Sequence, residues 1–396
     1  MNRSRLRFLV VSLALMMPLL AAIVWSSSTA KSADPGEDGL YKYLTVFSEV
    51  LGLVRQTYVE PRDVSALLAG AMDGATDALD PWSVFVPRSA VATWSGIESV
   101  GSKLSGIVAV RDRGVVYAVE IEEGSPAATA GLETGDVLAK IDERSTRDLP
   151  MWEIVRALSR PAGTKMALEL LRRGETKQAT VELGEFTPPA PRVDTVGDGL
   201  PMLRIARLEE ASAAAVQPLL EKLVSERKTK LLVDLRGLSG GSGRGAAAVA
   251  DLFADGALGS LVERGKTVES WDGKPGVAWR GDLVVLVDSS TAGAAEVLAA
   301  TLRSSAGAKV VGLPTLGHTG RLETVELPSG GRLRLTTAFY AGPDGQSLET
   351  GIGPDLVVDE LTRTFGDRET PIRELILEHG IRVLTGDEPL PAAKAA

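Results

Sequence analysis

The sequence predicts a multidomain protein of mixed α+β and α/β class, and three observations support that prediction. Apolar residues recur at spacings of three and four between positions 41 and 75, which is typical of amphipathic helices. Short apolar runs separated by turn residues fill positions 101–183, which is typical of a small domain rich in strands. Positions 283–311 predict a buried strand, a helix and a second buried strand, a βαβ unit whose strands are normally parallel.

The composition narrows the classes of function. The formal net charge of −9 argues against a surface for nucleic acid or anionic membrane, so no nucleic-acid partner is expected. The chain contains no cysteine, which excludes disulfides and thiol chemistry. Its two histidines, His318 and His379, are too few for a His-rich metal cluster. We therefore expect no metal and no other cofactor.

The first thirty residues have the composition of an export signal. Three arginines precede an apolar stretch at 8–25, and Ser28, Thr29 and Ala30 form a small-residue cleavage site. The apolar stretch is also just long enough to span a bilayer if it is retained. We expect an exported protein, periplasmic or otherwise extracytoplasmic. A cleaved signal peptide is favoured over a membrane anchor formed by residues 8–25.

Breaks in the pattern predict the domain boundaries. One helical stripe runs to Tyr58, Pro61 ends it, and a second stripe begins after Asp63, a suitable N-cap residue. The proline-rich stretch 188–191 is typical of a linker. The expected organisation is a signal or anchor at 1–30, a helical region at 41–95, a strand-rich domain at 100–185, a core at 192–365, and a C-terminal helix and tail at 366–396.

The strand-rich domain carries a recognisable central segment. Residues 124–142, GSPAATAGLETGDVLAKID, resemble the centre of a PDZ domain. That resemblance implies a small β-barrel-like domain with two helices, which binds extended C-termini by adding a strand to a sheet edge. The peptide-binding loop is expected at Leu104, Ser105, Gly106 and Ile107. A PDZ fold used only for internal packing stays open as an alternative, because Val108 stands where related peptidases often carry a second glycine.

Positions 283–322 resemble the active-site segment of the C-terminal processing (tail-specific) serine peptidases of type S41. In that family a serine lies in a run of small residues ending in Glu, a lysine follows in a Gly-Lys-Gly loop, and a glutamine comes four residues later. A gapless match on Glu296 and Gly317 puts the serine position at Gly293, the lysine position at His318 and the glutamine position at Leu322. The resemblance implies that the scaffold is kept and the reacting side chains are lost.

The same family resemblance covers about residues 41–365 in the family's own order, which implies a ββα-rich, crotonase-like peptidase core. Gly240 and Gly241 match the glycine pair whose backbone N–H groups form the oxyanion hole in the family. Leu238 and Ser239 stand in place of the usual Asn-Pro. Residues 241–246 also fit G-x-G-x-x-A after a strand, so dinucleotide binding stays open as an alternative.

Together these features predict a catalytically inactive pseudopeptidase that binds polypeptide C-termini or a partner protein, including an active peptidase. Whether it forms an oligomer is left open. The alternative is an active serine endopeptidase in which Ser290 or Thr291 is a displaced nucleophile and His318 its base, since imidazole titrates near neutrality. Thr291 is two residues from the serine position, enough to move a hydroxyl by several Å. Such a misplacement costs orders of magnitude in rate, so loss of catalysis is favoured.

Overall fold

The computed structural model describes residues 35–94, 104–317, 319–358 and 370–391, with side chains described from residue 41 onward. The chain divides into two compact units, Met1–Ala69 and Gly70–Ala396, and each is described by itself. The expected export signal and His318 lie outside the described residues.

The first unit contains helix α1 (Pro35–Thr57) and the beginning of helix α2 (Val64–Asp77). Asp63 acts at the start of α2 as expected, because its carboxylate accepts the backbone N–H of Ser65 at 3.1 Å. The apolar stripe of α1 is partly open to solvent, with Leu44 49% and Val50 51% exposed. Within the described ranges, no helix is long and apolar enough to cross a membrane.

In the second unit, strand β1 (Val84–Val86) precedes a strand-rich domain that extends to residue 183. The strands of this domain are β2 (Ile107–Asp112), β3 (Val115–Ile121), β4 (Val137–Ile141), β5 (Arg144–Ser145), β6 (Lys165–Arg172) and β7 (Glu175–Glu182). Its helices are α3 (Pro126–Thr129) and α4 (Met151–Leu158). The sheet is antiparallel in the order β2-β3-β4-β6-β7, with β5 paired to β4. The strands and helices expected at 101–183 are all present.

A helix packed on the sheet and a buried ion pair help to stabilise this domain. Helix α4 packs one apolar face on the sheet, where Ile154 is fully buried and Leu158 is 3% exposed. Asp136, at the start of β4, is 1% exposed, and its carboxylate accepts a hydrogen bond from Nε of Arg172 on β6 at 2.6 Å. The buried carboxylate is thereby paired with a cation, and removing Arg172 would leave a buried charge without this partner.

The core begins at residue 192. Its strands are β8 (Arg192–Val196), β9 (Leu200–Arg204), β10 (Lys230–Asp234), β11 (Gly256–Glu263), β12 (Lys266–Gly273), β13 (Asp282–Val287), β14 (Lys309–Gly312), β15 (Gly320–Glu326), β16 (Arg332–Ala341) and β17 (Leu356–Val357). Its helices are α5 (Ser212–Ser225), α6 (Gly243–Ala250), α7 (Ala294–Ser305) and α8 (Ile372–Thr385). One sheet has the order β17-β14-β13-β10-β9-β8, all parallel except for β8 with β9. The predicted βαβ unit is confirmed, since β13 and β14 are parallel neighbours in the sheet and α7 connects them.

Alternating side chains make both faces of this mostly parallel sheet apolar. Val233 and Val285 pack with residues of α5, α6 and α7, whereas Leu232 and Leu286 pack with residues of α8. Gly380 lets α8 lie against β13, because a Cβ at that position would stand 2.3 Å from Cδ2 of Leu286. The loops that follow the parallel strands therefore meet at one rim of the sheet, and the candidate site lies there.

The second sheet of the core is antiparallel and takes a strand from the N-terminal region. Its order is β1-β16-β11-β12, with β15 paired to β16. Residues 84–86 belong to the region expected to be helical, but they form β1, with Val84 opposite Arg334. A short apolar segment has no helical period of its own, so the distant strand β16 decides its conformation.

Candidate active site of the core

The position expected to carry the serine lies on a sharp turn between β13 and α7. Gly293 has φ 61° and ψ −119°, a conformation that a residue with a Cβ adopts only under strain. Its N–H group is directed at Oε2 of Glu296, 2.8 Å away, and at Oγ1 of Thr319, 3.1 Å away. Serine hydrolases commonly hold their nucleophile on such a strained strand-to-helix turn. The turn is present here, and its central residue supplies no side chain.

Glu296 is the centre of the hydrogen bonding around this turn. Its side chain is fully buried. Oε1 accepts the hydroxyl of Thr315 at 2.5 Å and the N–H of Gly317 at 2.8 Å. Oε2 accepts the hydroxyl of Thr319 at 2.8 Å as well as the N–H of Gly293. Burial raises the pKa of this carboxyl, while these hydrogen bonds to its ionised form act in the opposite direction.

These bonds bring the loop that carries the lysine position against the Gly293 turn. Gly317 and Thr319 flank position 318 and both bond to Glu296. The N–H of Leu316 also donates to the carbonyl of Thr291 at 3.0 Å. The structure thus brings together the turn at the serine position and the loop at the lysine position. The His318 imidazole itself is outside the described residues.

The glutamine position has a different environment. Leu322 lies on β15 opposite Thr336, after a register shift in the pairing with β16. Its side chain lines a cavity of about 490 Å³ together with Ile107 and Met151 of the strand-rich domain. Leucine has no hydrogen-bonding side-chain group, so this position cannot orient a base.

The glycine pair lies on the loop between β10 and α6. A Cβ on Gly241 would stand 2.3 Å from the carbonyl oxygen of Leu208, so only glycine fits. Leu208 also accepts the N–H of Ser242 at 2.9 Å and donates its own N–H to the carbonyl of Gly240 at 3.2 Å. Within the described parts of the chain, the N–H groups of Gly240 and Gly241 have no hydrogen-bond acceptor.

The same loop approaches the serine position directly. The carbonyl oxygen of Ser239 lies 3.6 Å from where a Cβ on Gly293 would be. The glycine pair follows Ser239 immediately in the chain. The loop that carries the glycine pair therefore lies next to the serine position, and the group that faces this position is the carbonyl oxygen of Ser239.

The two residues considered as displaced nucleophiles, Ser290 and Thr291, lie on the same turn as Gly293. Thr291 is fully buried, and its hydroxyl donates to the carbonyl of Leu235 and accepts the N–H of Asp288, both at 2.9 Å. Ser290 is 8% exposed, and its N–H donates to the carboxylate of Asp288 at 3.1 Å. The Thr291 hydroxyl is therefore occupied in holding the turn.

The glycine-rich start of α6 has no room for a phosphate group. The N–H of Gly243 donates to the hydroxyl of Tyr340 at 3.2 Å. A Cβ on Gly243 would lie 2.4 Å from the ring of Trp271, and one on Gly245 would lie 2.0 Å from the carbonyl of Leu208. Protein groups cover the helix N-terminus that a dinucleotide would need. This finding argues against the dinucleotide alternative.

The expected peptide-binding loop of the PDZ-like domain is buried. Leu104, Ser105 and Ile107 are at most 8% exposed, and a Cβ on Gly106 would lie 2.0 Å from Cβ of Ser125. The hydroxyl of Ser105 accepts the N–H of Ile107 at 3.2 Å, which is one of the backbone groups expected to hold a carboxylate. The groove between β2 and α4 is lined by Ile107, Val108, Ala109, Met151, Val155 and Leu158.

Sequence reasoning missed Glu120, which joins the strand-rich domain to the glycine loop. This β3 side chain is 3% exposed, and its Oε2 accepts the hydroxyl of Ser239 at 2.5 Å and the Ser239 N–H at 3.3 Å. Burial raises the pKa of Glu120 to about 7, against the lowering effect of the Ser239 hydroxyl. The signal that was available is an acidic residue within the apolar run 115–121.

The fold and the arrangement around Gly293 define a serine-peptidase-type core preceded by a PDZ domain. Residues 200–358 match the family described as peptidase family S41, and residues 117–172 match a PDZ domain family. The chain therefore contains a peptidase S41 domain and a PDZ domain, the combination that the sequence resemblance predicts.

Relatives with sequence similarity support this assignment. The carboxy-terminal-processing protease of Bartonella bacilliformis is 28% identical over 336 residues, which cover 82% of this chain and 77% of the relative. Carboxy-terminal processing protease CtpA of Bacillus subtilis is 26% identical over 372 residues, which cover 89% and 76%. Among solved structures, the photosystem II D1 C-terminal processing protease has a similar fold, with a TM-score of 0.64 at 24% identity over 84% of this chain and 90% of that one.

Proposed function

We propose that this protein is an exported pseudopeptidase that binds polypeptide C-termini, or a partner protein, without cleaving them. The observation that carries the proposal is Gly293, which occupies the nucleophile turn with no side-chain atom to react. Peptide hydrolysis by a serine peptidase requires a hydroxyl and a base that takes its proton. The serine, lysine and glutamine positions hold Gly293, His318 and Leu322, and none of these residues is the reacting group of the family.

The hydrogen bonds around Gly293 hold its turn and the neighbouring loops in place, which supports a binding role for this site. Glu296 keeps its hydrogen bonds to both segments of the site, and the Gly240 loop stays beside Gly293. A loop with two unoccupied backbone donors can still hold a carbonyl or a carboxylate of a polypeptide. The relatives are named as proteases that process carboxy termini, so a polypeptide C-terminus is the ligand class we propose.

The location and the partner belong to the same proposal. Residues 1–30 deliver the chain to an extracytoplasmic compartment, with residues 8–25 as an anchor if they are retained. An active peptidase of the same compartment is the partner that best fits a protein of this family without its own nucleophile. In that role the protein would present chain ends or regulate the active enzyme.

Catalysis is tested with a serine-reactive fluorophosphonate and a denatured protein substrate. We expect neither labelling nor cleavage by the purified protein. The triple variant Gly293→Ser, His318→Lys and Leu322→Gln should show weak cleavage, and each single variant none, because the three side chains act as a unit. Cleavage that survives repurification and disappears in Thr291→Ala or Ser290→Ala would establish the displaced nucleophile and overturn the proposal.

Binding is tested with two peptides that share an apolar C-terminal sequence and differ only in a free or amidated carboxyl end. We expect tighter binding of the free end, because amidation removes the charge that backbone N–H groups recognise. Val155→Asp, in the groove between β2 and α4, should weaken binding. Val268→Asp, at a position 46% exposed on β12, is the matched control and should leave binding unchanged. Equal affinity for both ends would refute recognition of C-termini.

A further inference from the structure

A cavity of about 490 Å³ lies beside the groove of the PDZ domain, and residues from outside that domain form its second wall. Val108 of β2 and Met151 of α4 line it on the side of the PDZ domain. Trp82, which precedes β1, and Leu322 of β15 line it on the other side. Eleven of its lining residues are apolar, and the polar ones are Ser159, Thr324 and Arg334. The groove is therefore one wall of a larger, mostly apolar pocket.

Two residues of this pocket stand where the sequence departs from the family. Leu322 occupies the glutamine position, and Val108 stands where related peptidases often carry a glycine. Each replacement adds an apolar side chain to the wall of the same cavity. A glutamine and a glycine at these positions would leave the cavity larger and more polar. The loss of the glutamine thus coincides with a gain of apolar surface facing the peptide groove.

Strand β2 offers an edge for an added strand next to this cavity. Within the described residues, β2 pairs with β3 and with no other strand, so its second edge is open. Ile107, Val108 and Ala109 bring this strand to the cavity. An extended polypeptide that pairs with such an edge directs every second side chain to the same face. The last and the third-last side chains of a bound chain end therefore enter the cavity together.

The size of the cavity fits bulky apolar side chains. An engineered cavity of about 150 Å³ lined by Leu, Ile and Phe holds one benzene molecule, and the cavity here is about three times as large. Ile107, Met151 and Leu158, each at most 3% exposed, contribute closely packed apolar wall. A small side chain would leave much of this space without contacts, which favours leucine or a residue of similar size over alanine.

We propose that Leu322 and Trp82, together with the groove of the PDZ domain, form one pocket that binds the last and the third-last side chains of a polypeptide when both are bulky and apolar. Leu322, at the glutamine position of the family, serves here in ligand recognition. This inference names the ligand class of the binding site and rests on the polypeptide-binding function proposed above. Recognition of the side chains is separate from recognition of the terminal carboxylate, so the two can be tested apart.

Two peptides with free carboxyl ends test the pocket, one with leucine and one with alanine at both the last and the third-last positions and otherwise identical. Their affinities for the full chain are measured by isothermal titration calorimetry. We expect the leucine peptide to bind about tenfold more tightly for each leucine, since each buries apolar surface that alanine lacks. Equal affinities would overturn the pocket, whereas a preference for free over amidated ends would still uphold the proposed function.

Leu322→Gln shows whether the wall outside the PDZ domain contributes to this preference. It should weaken binding of the leucine peptide about tenfold, because the new amide must be desolvated in an apolar pocket. Binding of the alanine peptide should change by less than about twofold, since coupling requires the two side chains to touch. A leucine preference that is unchanged in folded Leu322→Gln would overturn the assignment of Leu322.

Val325→Gln is the matched control for this substitution. Val325 lies on β15 as Leu322 does, is 46% exposed, and is three positions further along the strand, so its side chain is on the opposite face. It should leave the affinities of both peptides unchanged. An equal loss of affinity in Val325→Gln and Leu322→Gln would mean that the effect comes from the strand rather than from the pocket, and would overturn the proposal.

The pocket can also be tested without any polypeptide. Toluene is titrated into the full chain and followed through the methyl resonances of Ile107, Val108 and Leu322 in NMR spectra. We expect saturable shifts of these resonances, because an apolar cavity of this size binds small aromatic molecules. The absence of such shifts would overturn the pocket. Binding of toluene without binding of either peptide would refute the proposed polypeptide function and keep the apolar pocket, so the two failures are distinguishable.

Discussion

Gly293→Ser isolates the conformation of the nucleophile turn from its chemistry. The substitution restores the family's hydroxyl at a residue held at φ 61° and ψ −119°. Two separate costs are conceivable, a steric clash of the new side chain and strain in the backbone. The structure distinguishes between them.

The steric cost should be small. A Cβ on Gly293 would have its nearest neighbours at 3.6 Å, the carbonyl oxygen of Ser239, and at 3.9 Å, Cβ of Thr319. Both distances are ordinary van der Waals contacts. The remaining cost is that of a Cβ at positive φ, about 1–2 kcal/mol. We therefore expect a folded variant whose core unfolds at a modestly lower denaturant concentration.

Urea unfolding of the core, followed by tryptophan fluorescence and far-UV circular dichroism, measures the difference. Gly353→Ser is the control for the substitution itself, because no atom lies within 4 Å of its Cβ position and its φ is not positive. Gly317→Ser is the control for a blocked site, since its Cβ would lie 2.5 Å from the carbonyl of Glu349 at φ 71°. Gly293→Ser should fall between these two variants.

The reasoning would be refuted if Gly293→Ser were as destabilised as Gly317→Ser, or if it were more stable than the unsubstituted chain. The first result would mean that the turn is closed to any side chain, and the second that the backbone is not strained there. In either case the triple restoration would lose its structural basis. The single variant should also show no peptidase activity, because no lysine stands at position 318.

Three further predictions test other parts of the structure. Glu296→Gln should lower the free energy of unfolding of the core by about 2–3 kcal/mol in urea titrations. The NH2 group of the glutamine would have to face the N–H group of Gly293 or of Gly317, each of which now donates to a carboxylate oxygen, and an unchanged midpoint would contradict this. Gly243→Ala should cost about 1–3 kcal/mol by crowding Trp271, measured against Gly353→Ala, and equal midpoints would show that the rings move freely. From pH 5 to pH 8 the unsubstituted chain should lose about 2–3 kcal/mol relative to Glu120→Gln, since the pKa of Glu120 is raised to about 7; parallel pH profiles would contradict that shift.

The parts of the fold that the sequence could predict are those in which neighbouring residues decide the outcome. The apolar run of β13, the small residues of α7 and the second run of β14 fix a parallel βαβ unit, because each has its own period and the connection is short. The strands of the PDZ domain follow for the same reason. Asp63 likewise could be assigned as the start of α2 from its side chain alone.

Other features depend on contacts between distant residues and give no local signal. Val84 pairs with Arg334, and no pattern around position 84 indicates a partner so far along the chain. Glu120 and Ser239 are separated by 119 positions and meet only when two domains are packed together. The match to the family predicts that Gly293 stands at the serine position, but its strained backbone angles depend on the fold of the turn and have no signal in the sequence.

The pairing of β1 with β16 also constrains the order in which the chain can fold. Strands β2 to β7 lie within one continuous stretch, so the PDZ domain has all its strands as soon as that stretch is available. β1, in contrast, pairs with residues 332–334 of β16. These residues are synthesised about 250 positions later, so the pairing can form only near the end of chain synthesis. Until then Val84 and Val86 expose a bare strand edge, a segment prone to pair with other chains. The late arrival of β16 thus leaves these two valines without their strand partner during most of chain synthesis.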